Sequence, residues 1–432
     1  MDRYEEIAPE FFIENRKRLT ALLEENPLVF LFSNDKMPRT GDQYFPFRQN
    51  SNLFYLCGIN QPNTMLAICS EHPNPKLREI LFIEENTEKT RLWEGNKYTK
   101  ENAAKRSGIN TVFWISEFDT VLKDLMYHSQ NIYLNVAEST KFSPEVESKE
   151  YKYSLDIQNK YPLHQYHRLF PILRDMRLLK STYELKQLQK ACDITAKTFK
   201  RVLHAIKPDM TEYEIEAEIT HEFICNKVTS HAFSPIIASG ENACILHYTD
   251  NNAVCRGGEL LLLDFGAEYG NYASDLSRTI PVNGTFSTRQ KQVYDACCRV
   301  FLYAKSLFVP GMSIDKVNKK TCEAMQKELI TLSLFSEEDL KQQKTDYALA
   351  KKYFMHGVSH FVGLDAHDVG TTDVVFEEGM VLSCEPGIYI PEEQIGIRIE
   401  TMMQVANPPI DLMEHVPVLS DDIEKMMQKD RI

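Results

Sequence analysis

The 432-residue chain is short of three things, and each shortage closes off a class of protein. It has no excess of basic side chains: 49 Lys and Arg stand against 62 Asp and Glu, a formal charge of −13. A nucleic-acid surface needs a basic face to displace phosphate counterions, so nucleic-acid binding is not expected. It has no apolar run near the roughly 18 residues of a membrane span, and Met1-Asp2-Arg3-Tyr4-Glu5-Glu6 lacks the basic and apolar regions of a secretory signal. A cytoplasmic protein that meets no membrane is the expectation. Finally, none of its ten cysteines forms a C-x-x-C pair, and the one adjacent pair, Cys297 and Cys298, falls in a helical pattern. Reduced thiols packed in a core follow, not a disulfide framework.

What is present is an ordinary globular composition, 43% hydrophobic and 26% charged. The chain is too long for one core, since single cores stop growing at about 250–300 residues, so two domains are expected. The first part alternates signals. An amphipathic stretch near Phe11–Leu23 precedes apolar runs at Leu28–Phe32, Leu53–Cys57, Met65–Cys69, Ile80–Ile83, Val112–Ile115 and Ile132–Val136. That pattern predicts a mixed α/β domain. A polar stretch from Glu147 to Tyr161 leads to Arg174-Asp175-Met176-Arg177, where the boundary is placed, giving domains of residues 1–174 and 175–432.

The second part opens with Ser181 and Glu184 ahead of apolar residues at helical spacing from Leu185 to Ile206, a capping box leading into a long helix. Pro208-Asp209-Met210-Thr211 ends it, and Glu214 completes a second box with Thr211. A later helical pattern, Val293–Leu307, ends at Pro310-Gly311-Met312-Ser313 before another helix begins at Ile314. The two junctions share the form Pro-x-Met-Ser/Thr. Each helix pair is followed by a strand hairpin bearing two carboxylates, which predicts an internal duplication enclosing one site.

In the first hairpin, four leucines precede Asp264, and Asp275 lies on the returning strand. A turn centred on Tyr269-Gly270 would set Asp264 directly opposite Asp275 on one face of the sheet. Like charges so placed repel, and a carboxylate after four leucines faces a protected interior where it is costly unless neutralised. A bound cation removes both difficulties; an exposed Asp, or one paired with Arg278, is the competing reading. In the second hairpin a turn at Glu392-Glu393 sets Glu385 opposite Glu400, although Pro386 and Pro391 interrupt the ladder. Between the hairpins, His356, His360 and His367 fall within twelve residues. Four carboxylates and an imidazole form a hard, oxygen-rich donor set whose charge balances two divalent ions. It suits Mn²⁺, with Zn²⁺, Co²⁺ or Fe²⁺ as alternatives.

The order and spacing of Ser239-Gly240-Glu241-Asn242-Ala243-Cys244-Ile245-Leu246-His247-Tyr248, the two-aspartate hairpin, the histidine segment, Glu385-Pro386-Gly387 and Arg398-Ile399-Glu400 closely resemble the creatinase/aminopeptidase, or pita-bread, family. Within it the likeness is greatest to aminopeptidase P. Phe47-Arg48-Gln49-Asn50-Ser51-Asn52-Leu53-Phe54-Tyr55-Leu56-Cys57-Gly58 extends the likeness into the N-terminal half. The resemblance implies a creatinase-like α/β N-terminal domain and an α+β pita-bread catalytic domain with pseudo-twofold duplication. It implies Asp264, Asp275, His360, Glu385 and Glu400 as ligands of two metal ions, with Asp275 and Glu400 shared between them. Creatinase shares the fold without these ligands, so their presence implies a metallopeptidase. Thr401 and Met402 depart from the acidic residues of some members.

The implied reaction is hydrolysis of the first peptide bond of Xaa-Pro peptides by a metal-bound hydroxide. Glu385 would act as proton carrier, and His247 and His367 as hydrogen-bond donors. His356, Tyr389 and Arg398 would lie against the proline ring, and Trp93 would reach the site of a neighbouring subunit in a homodimer or homotetramer. Prolidase, which shares fold and metals, and a non-catalytic binding protein of the same fold are the rival readings.

Overall fold

The computed structural model describes residues 3–136, 138 and 146–428, which divide into two compact units, Met1–Arg177 and Leu178–Ile432. The N-terminal unit is built on a six-stranded mixed sheet. Its order is Thr111–Trp114, Glu79–Ile83, Met65–Ile68, Pro27–Phe32, Asn131–Leu134 and Gln165–Arg168. Parallel pairs close both ends of the sheet and antiparallel pairs fill the centre. Continuous apolar runs such as Pro-Leu-Val-Phe-Leu-Phe suit strands buried on both faces, and Pro27–Phe32 is buried throughout. Helices Phe118–Tyr127 and Lys149–Lys160 contribute Leu122, Leu125, Met126 and Ile157 to its core. The polar stretch from Glu147 thus folds as an amphipathic helix capped by Ser148, whose hydroxyl accepts from the Tyr151 N–H.

Five of the six apolar runs are strands; Leu53–Cys57 is not. It lies in the helix Ser51–Cys57. The Asn50 side chain accepts the N–H groups of Asn52 and Leu53 at 3.0 and 3.1 Å, and Gly58 ends the helix with φ +67°. An Asn cap and a glycine stop eight positions apart outweigh the β-like look of an all-apolar run. Any larger residue at Gly58 would also strike the Phe12 ring, 2.3 Å from where its Cβ would stand.

The C-terminal unit repeats one order of elements. Helices Thr182–Ala205 and Glu212–Cys225 precede strands Ile236–Ser239, Leu260–Phe265 and Leu276–Pro281; helices Thr288–Lys305 and Ile314–Thr331 precede strands Val381–Cys384, Gly387–Ile390, Ile395–Arg398 and Thr401–Gln404. Both predicted capping boxes are present, Ser181 with Glu184 and Thr211 with Glu214. This is the duplicated α+β layout expected of a pita-bread domain. All ten cysteines are free and seven are buried, and among the described residues no helix is long and apolar enough to cross a membrane.

Candidate metal centre

The first hairpin corrects the expected register. Its turn is Gly270-Asn271, both left-handed with φ +60° and +65°, a conformation glycine and asparagine tolerate and a tight hairpin requires. Asp264 therefore stands opposite Ser277, not Asp275. Because the register moves by an even number of residues, Asp275 keeps to the same face and meets Asp264 diagonally. The second hairpin has the expected register: Cys384 pairs with Thr401 and Gly387 with Arg398, which sets Glu385 opposite Glu400.

Glu400 and Glu385 are each seated by backbone from outside their own hairpin. The Glu400 N–H donates to the Ser277 carbonyl at 3.0 Å, and the Ser277 hydroxyl donates to Glu400 Oε2 at 2.8 Å. The Glu385 N–H donates to the Val358 carbonyl at 2.9 Å. His360 is gripped by Ser383, whose N–H donates to the His360 carbonyl while its hydroxyl accepts the His360 N–H at 3.0 Å. Sequence reading passed over Ser277 and Ser383. Their signal was positional, since each lies on a hairpin strand two residues from an acid, at Asp275 and Glu385, and so shares its face.

Asp275, His360 and Glu400, all buried, bring one oxygen or nitrogen each within 4.8 Å of one another. His360 Nε2 is 3.4 Å from Asp275 Oδ2 and 3.5 Å from Glu385 Oε1. Asp264 carries a partner that sequence reading did not assign: Arg398 Nη2 lies 2.6 Å from its Oδ2. Arg278, the expected competitor, instead donates to the carbonyls of Ser277, Glu400 and Pro417. Arg398 neutralises one acid only, and Asp264 Oδ1 remains a buried acceptor without a hydrogen bond.

Electrostatics mark the cluster as unbalanced. Burial pushes the Asp264 carboxyl up to about 7; Arg398 opposes this, and the charges of Asp275 and Glu385 add to it. Glu400 is raised well above the carboxylate range by burial first, then by Asp275, Glu385 and Asp264. Burial disfavours the His360 imidazolium, yet Asp275 and Glu385 outweigh it and the pKa rises. An orphaned oxygen, crowded acids and one imidazole fit divalent cations, which would satisfy the lone pairs and remove the repulsion.

The remaining candidates divide. His356, Tyr389 and Arg398 form one chain: His356 Nε2 is 2.8 Å from the Tyr389 hydroxyl, and Arg398 Nη1 donates to that hydroxyl at 3.0 Å. The chain ends on Asp264, so these three side chains border the acids. His367 is exposed, its ring centroid 4.2 Å from that of His360. His247 is exposed as well, on a segment anchored by buried Glu212, which accepts from the Ser239 N–H, the Ser239 hydroxyl and the Tyr248 hydroxyl at 2.7–2.8 Å. Trp93 lies in the N-terminal unit, in helix Glu88–Glu94, and is 78% exposed.

Comparison with known proteins identifies the family. The model for metallopeptidase family M24 matches residues 186–407, and that for the aminopeptidase P N-terminal domain matches residues 12–133. The Xaa-Pro aminopeptidase of Haemophilus influenzae is 33% identical, with 97% of each chain covered. Aminopeptidase PepP of Pseudomonas aeruginosa superposes with a TM-score of 0.89 at 29% identity, 98% of each chain covered. Aminopeptidase P from Escherichia coli with the inhibitor Pro-Leu gives 0.87 at 30% identity, covering 98% of this chain and 99% of that one. The chain therefore belongs to metallopeptidase family M24, hydrolases that use divalent metal ions, and carries ahead of that domain the N-terminal domain of aminopeptidase P.

Proposed function

We propose that the protein is an aminopeptidase that removes the first residue from peptides whose second residue is proline. The observation that carries this is the convergence of Asp275, His360 and Glu400 within 4.8 Å, with Glu385 and Asp264 beside them. Asp275 and Glu400 would each serve both ions, Asp264 one of them, and His360 and Glu385 the other. Four carboxylates match the charge of two divalent ions, and their oxygen-rich character favours Mn²⁺ over Zn²⁺, Co²⁺ or Fe²⁺. Such ions supply an acidified water near neutral pH and polarise the scissile carbonyl.

The chain's own part is placement and proton transfer. The Glu385 carboxylate takes a proton from the attacking water and delivers it to the proline nitrogen as the C–N bond breaks. His367 and His247 donate hydrogen bonds to the carbonyl oxygen as negative charge gathers there. A proline amide has no N–H to offer and its φ is fixed, so it must be recognised by shape. The joined side chains of His356, Tyr389 and Arg398 supply a stiff wall for that purpose, since each is held by another at 2.8–3.0 Å.

Trp93, exposed on its own chain, is free to complete the site of a neighbouring subunit in a homodimer or homotetramer. The protein's proposed place of work is the cytoplasm and its substrates are peptides, with the formal charge of −13 arguing against nucleic acid as a partner.

Elemental analysis of the purified protein, paired with hydrolysis of Xaa-Pro-Yaa tripeptides, Xaa-Ala-Yaa tripeptides and Xaa-Pro dipeptides, tests this reading. Metal-dependent release of the first residue from Xaa-Pro-Yaa, and little from the other two, is expected. Turnover confined to dipeptides would make it a prolidase, and a protein that holds no metal and cleaves none of them would end the enzymatic reading.

A further inference from the structure

His247 stands on a segment with little regular structure of its own. Between strands Ile236–Ser239 and Leu260–Phe265 the chain makes one 3₁₀ turn, Gly240–Cys244, and then runs irregularly past His247. Such a segment presents a side chain reliably only where a rigid element ties it down. The tie here is Glu212, the first residue of helix Glu212–Cys225.

Glu212 is fully buried, and its carboxylate accepts five hydrogen bonds from this one segment. Oε1 takes the Ser239 N–H at 2.7 Å, the Ser239 hydroxyl at 2.8 Å and the Asn242 amide at 3.3 Å. Oε2 takes the Tyr248 hydroxyl at 2.7 Å and the Ala253 N–H at 2.9 Å. The main chain adds one more, from the Glu212 N–H to the Ala253 carbonyl at 2.9 Å. One side chain thus grips both ends of the segment and its middle, and a buried polar network satisfied in this way is stiff.

The grip reaches the site through the neighbours of His247. Leu246 and Tyr248, on either side of it, pack into one small core with Tyr389. Burial holds the His356 pKa down, and the charges of Arg398 and His247 press the same way against Glu385, so His247 lies within electrostatic reach of the His356 ring. His247 is itself exposed, and its aim is therefore set by the backbone that carries it more than by packing. We propose that Glu212 is a positioning residue for the peptidase reaction, one that never meets the substrate and acts by holding His247 where its ring donates to the scissile carbonyl oxygen. The inference rests on the hydrogen-bonding role given to His247 above. A bond that strengthens only as charge develops is lost when its donor drifts, which lowers kcat and leaves substrate binding alone.

The test is a double-mutant cycle on the full chain loaded with Mn²⁺, reading kcat, KM and bound metal. His247→Ala should lower kcat on an Xaa-Pro-Yaa peptide by about 10²-fold, the loss that follows removal of one such donor. Glu212→Gln turns an amide N–H₂ toward part of the donor set and should lower kcat by about tenfold through misplacement, with KM and metal content as in wild type. Once His247 is alanine, Glu212→Gln should have no further effect. Tyr248→Phe removes one of the five bonds and should show a smaller loss with the same dependence on His247, so the cycle can be read even if Glu212→Gln does not fold. Equal kcat losses with and without His247 would overturn the proposal, because independent sites add. So would a folded Glu212→Gln enzyme with the wild-type kcat, or one that has lost its metal. His247→Ala at the wild-type kcat is a different failure: it would remove the role of His247 itself, and the inference with it.

Discussion

The acid cluster of the C-terminal unit and the His72–Asp124–His128 cluster of the N-terminal unit use the same donor chemistry under opposite conditions. In the first, several carboxylates share one buried place, a single arginine answers one of them, and the acids are driven toward protonation. In the second, one carboxylate with half its surface in water stands between two bases. The contrast teaches that burial and charge imbalance, more than the number of donors, decide whether an ion is needed to hold a site together. The buried acids stay unbalanced without a counter-charge, whereas the half-exposed Asp124 has water to answer its own.

The largest expected effect separates the two. Asp275→Ala should lower kcat/KM on an Xaa-Pro-Yaa peptide by about 10³-fold or more, because groups acting as one unit fail together, and bound metal should fall with it. His128→Ala in the same assay should leave kcat/KM unchanged. An Asp275→Ala enzyme that stays active without metal would erase the distinction.

Next in size is a buried charge pair that needs no ion. Lys180 Nζ sits 2.7 Å from Asp368 Oδ2, with both side chains 1% exposed, and a Cβ at Gly363 would stand 2.1 Å from that same oxygen. The pair thus braces the segment that carries His367. Lys180→Met leaves the buried carboxylate without this cation and should cost about 3–5 kcal/mol in denaturant unfolding. Adding Asp368→Leu should recover most of the loss, whereas a single variant as stable as wild type would show that balanced charge is not what holds this segment.

Chelation follows. Stripping divalent ions from the full chain should lower the melting temperature of the C-terminal unit, and restoring an ion at a hundred times its Kd should return about 2.7 kcal/mol. Stripped and loaded protein melting together would mean that the acids tolerate one another, and the comparison would fail.

The sequence carried the parts of this picture that depend on local pattern. Capping boxes at Ser181 and Thr211, strand alternation and the same-face relation of Asp264 and Asp275 follow from residues a few positions apart. Where it erred, the competing signal was also local: Asn50 and Gly58 mark a helix within an apolar run, and Gly270-Asn271 makes a better tight turn than Tyr269-Gly270. The Arg398–Asp264 pair is different. It joins residues 134 positions apart on separate hairpins, and only their packing decides which of Arg278 and Arg398 meets the acid. The contact of His72 with Asp124 was illegible for the same reason, since the helix that brings them together begins 46 residues later in the chain.

Glu150 sharpens the comparison from the other side, as a buried acid that faces no crowd of like charges. Its two oxygens accept from Asn135 at 2.9 Å and Asn50 at 3.3 Å, yet burial outweighs these bonds and pushes its carboxyl up to about 8. A folded-state pKa above the unfolded value of 4.5 means that the folded chain holds the proton more tightly. The stability this contributes is complete below the unfolded pKa and is lost as pH rises through the folded one. Unfolding midpoints of wild type should therefore drift downward between about pH 5 and pH 9, whether or not divalent ions are present. Glu150→Gln cannot ionise and should flatten that drift, even if its amide nitrogen meets the Asn135 or Asn50 donors less well and lowers stability by a constant amount. The slope is what discriminates: if metal abolishes it in wild type, the pH dependence belongs to the acid cluster, and burial of a lone carboxylate has no separate cost here.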